Sequence, residues 1–182
     1  AMLKAGEKMM TYRFHGYWKD VGTIESLWEA NMDLLNPHIG LNLDDANWRI
    51  YSRNRGLPPH YLGPSARVQN SIISEGCTID GTVDFSVLFA GVTVEEGAEV
   101  YDSILMPGAY VKSGAKVQYA ILAEDTVVEE DAVVGERPER CRHLQEWGVA
   151  VVAAGVTVGP GAIVPPKAMV ERDVLVGGRQ YA

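Results

Sequence analysis

Aliphatic residues recur at intervals of six through more than half of this chain, and that period limits the available folds more than any other feature. It opens with Leu62 and Val68, then Ile73 and Ile79. It settles into the triplets Leu88, Val94, Val100; Leu105, Val111, Val117; and Leu122, Val128, Val134. A last run gives Val152, Val158, Val164 and Val170. Four positions after most of these stands a small or β-branched residue: Ala66, Cys77, Val92, Ala98, Ala109, Ala115, Thr126, Ala132, Val156, Ala162 or Ala168. The residue just before it is Gly76, Gly91, Gly97, Gly108, Gly114, Gly155 or Gly161, with Asp125 and Asp131 in the same phase. These residue types tolerate a left-handed backbone best.

Such a period describes a short strand, a tight corner and another short strand, three of which close one triangular coil. The expected fold is therefore mainly β, a left-handed parallel β-helix of hexapeptide repeats from about Leu62 to Val170. The triplets start 17 residues apart, which places Leu88, Leu105 and Leu122 over one another in a continuous aliphatic column. At ordinary strand spacing, six coils make a prism about 29 Å long. A sandwich of alternating strands explains neither the glycine phase nor the repeat.

With 182 residues and 47% hydrophobic content the chain can bury a substantial core. Its net charge of -8 argues against nonspecific attraction to nucleic acid or anionic lipid. Cys77 falls at an inward repeat position and Cys141 in an arginine-bearing insertion, so neither belongs to a metal pattern. No signal peptide or bilayer-length apolar run is evident, and a reducing cytoplasm is the expected setting. Ala1 ahead of Met2 reads as a remnant of cutting, and the chain as a piece of a longer polypeptide.

Ahead of the repeats, Met9 to Tyr17 alternates roughly between apolar and polar residues and predicts a strand covered on one face. A helix should follow, with Thr23 as N-cap, Glu25 in its first turn, and Ile24, Leu27, Trp28, Asn31, Leu34 and Leu35 along one face. Asn36-Pro37 should end it. Residues 1–36 look like the trailing segment of an α/β domain, too small to form a core alone. Residues 37–61 read as a connector packed on the prism, with a strand at Trp48–Tyr51, and residues 62–182 as the β-helix domain. An excursion at 135–148 interrupts the repeat and carries Arg137, Arg140, Arg142, His143 and Trp147. It reads either as a functional loop or as a solvated insertion or subunit contact.

Between the expected strand and helix lies Gly16-Tyr17-Trp18-Lys19-Asp20-Val21-Gly22-Thr23, continuing Ile24-Glu25-Ser26-Leu27-Trp28-Glu29-Ala30-Asn31-Met32-Asp33-Leu34-Leu35. This string resembles the corresponding segment of the glucose-1-phosphate adenylyltransferases, the bacterial ADP-glucose pyrophosphorylases of glycogen biosynthesis. Ile72-Ile73-Ser74-Glu75-Gly76-Cys77 and Ser86-Val87-Leu88-Phe89-Ala90-Gly91-Val92 resemble that family's repeats.

The resemblance implies a nucleotidyltransferase that joins glucose 1-phosphate to ATP, giving ADP-glucose and pyrophosphate with Mg²⁺. It makes Asp20 the catalytic carboxylate that helps hold the metal, in keeping with the preference of Mg²⁺ for hard oxygen ligands. Trp18 would line the sugar-phosphate side, on the same strand face as Asp20. For Asp20 alone, a helix-entering acid satisfied by backbone donors is the plain alternative. The family's Gly-rich nucleotide signature, its metal-partner aspartate and its sugar-phosphate lysine have no counterpart here, so this stretch alone should be inactive.

The family's homotetramers answer to sugar-phosphate or adenylate effectors, with the β-helix serving assembly and regulation. Arg49, Arg53 and Arg55, or Arg137, Arg140 and Arg142, could supply guanidinium groups to such an effector, although neither cluster matches a family motif. A regulatory paralogue is one competing reading. Another is a hexapeptide acyltransferase, which needs a histidine base; His15, His38 and His60 precede the repeats, leaving His143. A prism-type zinc carbonic anhydrase would require histidines along the coils, and they are absent.

Overall fold

The computed structural model describes residues 2–43, 45–51, 55–141, 145, 147–175 and 177. Among the described residues eighteen short strands, from Tyr61–Leu62 to Met169–Val170, form three six-stranded parallel sheets. Each sheet takes every third strand, so the chain winds through about six coils of a left-handed hexapeptide solenoid. Leu88 pairs with Leu105 and, on the same sheet, Leu105 with Leu122, as the 17-residue spacing requires. Leu122 then pairs with Val152, which restores the register across the excursion.

The interior column is dry and aliphatic. Ile79, Leu88, Val94, Val100, Leu105, Val111, Val117, Leu122, Val128, Val134, Val152, Val158 and Val164 have no exposed surface. The small residues one corner later, Ala98, Ala109, Ala115, Ala132, Ala162 and Ala168, are equally hidden. Their size sets how closely the three sheets approach. The expected corner residues turn left-handed: Gly76, Gly91, Gly97, Gly108, Gly114, Gly155 and Gly161 have φ of 63° to 80°, and Asp125 and Asp131 have 56° and 57°.

The remaining corner of the early coils is built differently. A single left-handed residue turns the chain at Asn70, Phe85, Asp102 and Tyr119, with φ of 43° to 49°. In the first three coils a serine follows it. Ser86 Oγ donates to the Asp84 carbonyl and accepts the Ser103 amide at 3.1 Å; Ser103 Oγ donates to the Tyr101 carbonyl and accepts the Ala120 amide at 3.1 Å. Ser71 Oγ begins this ladder by accepting the Ser86 amide. Ser86 and Ser103 are fully buried, so each hydroxyl satisfies an amide that the tight corner would otherwise strand.

One core residue departs from the six-residue phase. Val83 lies four positions after Ile79, because the corner Asp80-Gly81-Thr82 is two residues shorter, yet it pairs in register with Val68 and Val100. A Cβ on Gly81 would lie 2.5 Å from the Ala98 carbonyl oxygen and 2.6 Å from that of Glu95. Glycine is required there by close backbone approach, not by its dihedral freedom.

The outer face of the third sheet is apolar: Ile72, Val87, Ile104, Ile121, Val151 and Met169 lie in mutual register. Helix α1, Ile24–Asp33, is seated on this face. Thr23 caps it, its Oγ1 accepting the Ser26 amide while Ser26 Oγ accepts the Thr23 amide. Met32 is buried against Val87, Ile104, Ile121 and Val149, with Ile24, Leu27, Trp28 and Leu35 around it. A helix of ten residues is marginal alone. Full burial of one side chain such as Met32 contributes about 1.5–3 kcal/mol, so the seat decides whether it persists.

Two expected strands do not form. Met9 to Tyr17 and Trp48 to Tyr51 are irregular; Tyr12, Trp48 and Tyr51 are more than four-fifths exposed. A strand needs a hydrogen-bonding neighbour as well as an alternating pattern, and among the described residues none lies beside either segment. Of the connector, Leu57 packs over Gly76, and the Pro58 carbonyl accepts the Gly76 amide at 2.6 Å. Beyond the last coil, Val174 bridges Val158, and Asp173 Oδ1 accepts the Thr157 amide.

Two glycine substitutions separate packing from dihedral strain. Gly161→Ala, at φ 63° with open space around its would-be Cβ, should cost about 1–2 kcal/mol. Gly81→Ala should cost clearly more, since backbone oxygens must move. Urea denaturation of both variants checks the order; equal losses would contradict the account of the short corner.

Candidate functional site

The motif residues occupy an extended segment that runs along α1. Tyr17 OH donates to Asp33 Oδ2 at 2.9 Å, and Lys19 Nζ reaches the same oxygen at 2.9 Å and Glu29 Oε2 at 3.1 Å. Tyr17 and Lys19 are thereby half-buried against the helix. Trp18 and Asp20, alternating with them, are exposed, Trp18 at 75%. The expected shared face of Trp18 and Asp20 thus exists in an unpaired extended segment instead of a strand. The hydrogen bond from Lys19 holds the Asp33 carboxyl below the usual carboxylate range, and the same bond raises the Lys19 ammonium.

Asp20 offers one solvent-facing carboxylate. Among the described residues no three His, Cys, Asp or Glu side chains gather into a metal cluster. This donor set fits a metal held by one protein carboxylate with phosphate oxygens and water completing its shell.

The excursion is tied to the solenoid through aromatic contacts. Tyr119 stacks on Trp28 of α1, ring centroids 5.5 Å apart, and meets Trp147 edge-on at 5.1 Å. Trp28 Nε1 donates to the Asp102 carbonyl at 2.7 Å, and Trp147 Nε1 donates to the Glu136 carbonyl at 2.7 Å. Both indoles are therefore half-buried with the N–H satisfied. Sequence periodicity could not reveal this junction, because its three rings come from the helix, a solenoid corner and the excursion.

Arg137 turns inward from the excursion. Its guanidinium lies 4.2 Å from the Tyr101 ring centroid and 4.0 Å from Asp102 Oδ2. Burial pushes the Asp102 carboxyl up, Arg137 opposes that shift, and the charges of Asp84 and Glu139 add to it. Asp84 Oδ1 is itself buried without a hydrogen-bond partner. Arg140 lines a groove at the excursion's root with Lys116, Gln118, Glu136 and Pro165. Arg49 and Arg55 are exposed, Arg49 in a shallow depression with Asp45 and Tyr51. Arg53 and Arg142 lie outside the described residues, as does His143; His15, His38 and His60 are exposed.

Comparison with known proteins gives two family matches. Residues 61–159 match the family described as GlmU-like, C-terminal hexapeptide, and residues 1–37 match the nucleotidyl transferase family. Proteins named glucose-1-phosphate adenylyltransferase from Bacillus mycoides (strain KBAB4), Bacillus cereus (strain ATCC 10987 / NRS 248) and Bacillus anthracis are each 52% identical to it over 139 residues. The match covers 76% of this chain and 36% of each relative. The chain thus spans roughly a third of the length of these curated relatives.

The Asp102 environment predicts a pH effect with a definite sign. A carboxyl raised by burial contributes stability that is complete below its ordinary value of 3.8 and is lost as pH rises through the folded value. Asp102→Asn removes that loss and keeps a residue suited to φ 49°. The melting temperature of the variant minus that of the parent chain should therefore increase between about pH 4 and pH 7. A difference that shrinks over this range would show that the Arg137 pair outweighs burial.

Proposed function

Because the chain belongs to the GlmU-like C-terminal hexapeptide family and its hexapeptide region follows a nucleotidyl transferase match at residues 1–37, we propose that it is the C-terminal portion of a glucose-1-phosphate adenylyltransferase. The complete enzyme transfers an adenylyl group from ATP to glucose 1-phosphate, giving ADP-glucose and pyrophosphate, in glycogen biosynthesis. The observation that carries this reading is the presentation of Trp18 and Asp20 together, facing away from a segment anchored to α1.

In this reading a divalent metal, Mg²⁺, neutralises charge on the reacting phosphates when bound, and Asp20 supplies one of its carboxylate ligands. Trp18 offers an exposed aromatic face to the sugar-phosphate side. The solenoid carries no chemistry of its own; it seats α1 and serves assembly, a homotetramer in the complete enzyme. Residues 1–36, 37–61 and 62–182 are then the end of the catalytic domain, the connector and the β-helix domain. A cytoplasmic setting, where ATP is available, goes with this reading. No helix among the described residues is long and apolar enough to cross a membrane.

Regulation by a sugar-phosphate or adenylate effector would draw on arginine. Arg140 with Lys116 at the excursion's root provides two cationic side chains around one groove, with Arg137 and Arg142 on the same excursion. Arg49, Arg53 and Arg55 of the connector are the alternative cluster.

Asp20→Asn in the complete enzyme should lower pyrophosphate release from ATP and glucose 1-phosphate by at least ~100-fold, since a metal ligand is lost without a change in shape. An unchanged rate would remove Asp20 from the site. An inactive complete enzyme would instead favour a regulatory paralogue. The chain by itself should show no adenylyl transfer. Paired Arg137→Ala and Arg140→Ala substitutions should weaken activation by fructose 1,6-bisphosphate, used as a representative sugar phosphate, or inhibition by AMP. If neither these nor the Arg49 and Arg55 pair alters either response, the arginine assignment fails.

A further inference from the structure

We infer that Asp33 is a positioning residue for the Trp18–Asp20 face, an inference that rests on the proposed role of that face. Among the described residues, 17–23 pair with no strand, and side-chain bonds to α1 set their register and rotation against the helix. Two donors spaced two residues apart, Tyr17 OH and Lys19 Nζ, converge on one oxygen of Asp33, each at 2.9 Å. One bond would leave the segment free to roll about it. Two on the same side of an extended chain fix which side faces away, and Trp18 and Asp20 occupy that other side.

Thr23 begins α1 and Asp33 ends it, so the segment is tied to both ends of the same helix. Ten helical residues rise about 15 Å. The four extended steps from Lys19 to Thr23 cover about 13 Å, enough to run alongside the helix and let the lysine side chain reach Asp33. Asp20 lies inside this span, tied at both ends.

The position of Asp33 is inherited from the solenoid. Met32 beside it is buried on Val87, Ile104 and Ile121, and Trp28 one turn earlier is bonded to the Asp102 carbonyl. The placement of Asp20 is therefore referred through Asp33 to the rigid third sheet. Asp33 also engages the Lys19 ammonium, with Glu29 assisting. Released, that ammonium would sit one residue from Asp20 and compete for its carboxylate against a metal ion.

The test uses the complete enzyme with Asp33→Ala, Asp33→Glu and the double variant Tyr17→Phe/Lys19→Met, beside Asp20→Asn. Asp33→Ala should lower kcat/KM for glucose 1-phosphate by about tenfold or more, since small misplacements of a site group are costly. It should raise the Mg²⁺ concentration needed for half-maximal rate, and Asp33→Glu should restore part of both. The double variant, which frees the segment but has no ammonium to release, should reproduce the loss in kcat/KM of Asp33→Ala without touching the helix and with a smaller rise in the Mg²⁺ requirement, and it carries the test if Asp33→Ala fails to fold. Hydrogen exchange on this chain should show faster exchange at residues 18–22 with the solenoid amides unchanged. Faster exchange with unaltered kinetics would overturn the positioning role. If Asp20→Asn inactivates while the Asp33 and double variants do not alter the kinetics, the positioning role alone falls. An active Asp20→Asn removes the reading of the site on which it rests.

Discussion

The corner at Asn70, Phe85, Asp102 and Tyr119 is the constraint on which the early coils depend. Closing it with one left-handed residue shortens a coil to 17 residues and holds successive leucines in register. Such a corner leaves amides with no ladder partner, and the serine hydroxyls supply one. With each coil closed in this way, every inward position faces its counterpart one coil away, and so does every outward one. The dry column and the apolar outer sheet are two results of the same closure. Non-glycine residues at positive φ carry a backbone cost. Here the same residues also seat α1, since Tyr119 stacks on Trp28 and the Asp102 carbonyl accepts its indole N–H.

The repeat was legible because a six-residue period with glycine one place before each small residue has few physical solutions. The inward column, the left-handed glycines and aspartates, and the Thr23 cap could all be read from spacing. Val83 could not, because a corner two residues shorter breaks the period that identifies its neighbours. Nor could the left-handed Phe85 and Tyr119, whose bulk argues against that conformation; only stacked neighbours make it worthwhile. The strand expected at Met9 to Tyr17 illustrates the opposite failure. Alternation in sequence states which side chains share a face and says nothing about whether a partner edge lies within reach.

The candidate site divides along the same line. Trp18 and Asp20 were found through resemblance to a family, a signal carried by residue identity. Asp33 was passed over as one letter of the same motif, since its part depends on a contact across a helix and not on spacing. Met32, absent from the predicted helix face, is the most deeply buried side chain of α1, because the partner surface is a broad sheet that accepts a wider stripe than the one traced from Ile24 to Leu35. The arginines of the excursion were grouped by proximity in sequence; Arg137 turns onto Tyr101 and Asp102, while Arg140 faces a groove.

The excursion has a consequence for how the chain assembles in time. Most strand pairs join residues only 15 or 17 positions apart, so coils can add one after another from almost any starting point, at low cost in chain entropy. In all three sheets the pairs across the excursion, Ala120–Leu122 with Ala150–Val152, Val127–Val128 with Thr157–Val158 and Val133–Val134 with Ile163–Val164, are separated by 30 positions, because the excursion must be looped out before the sheets can continue. Propagation therefore meets a pause at this single seam, and the last coils fold as a block that waits on its closure. The Tyr119–Trp147 contact lies at that seam and draws the two sides of the loop together. The rings that brace the helix thus also clasp the longest loop that winding has to close.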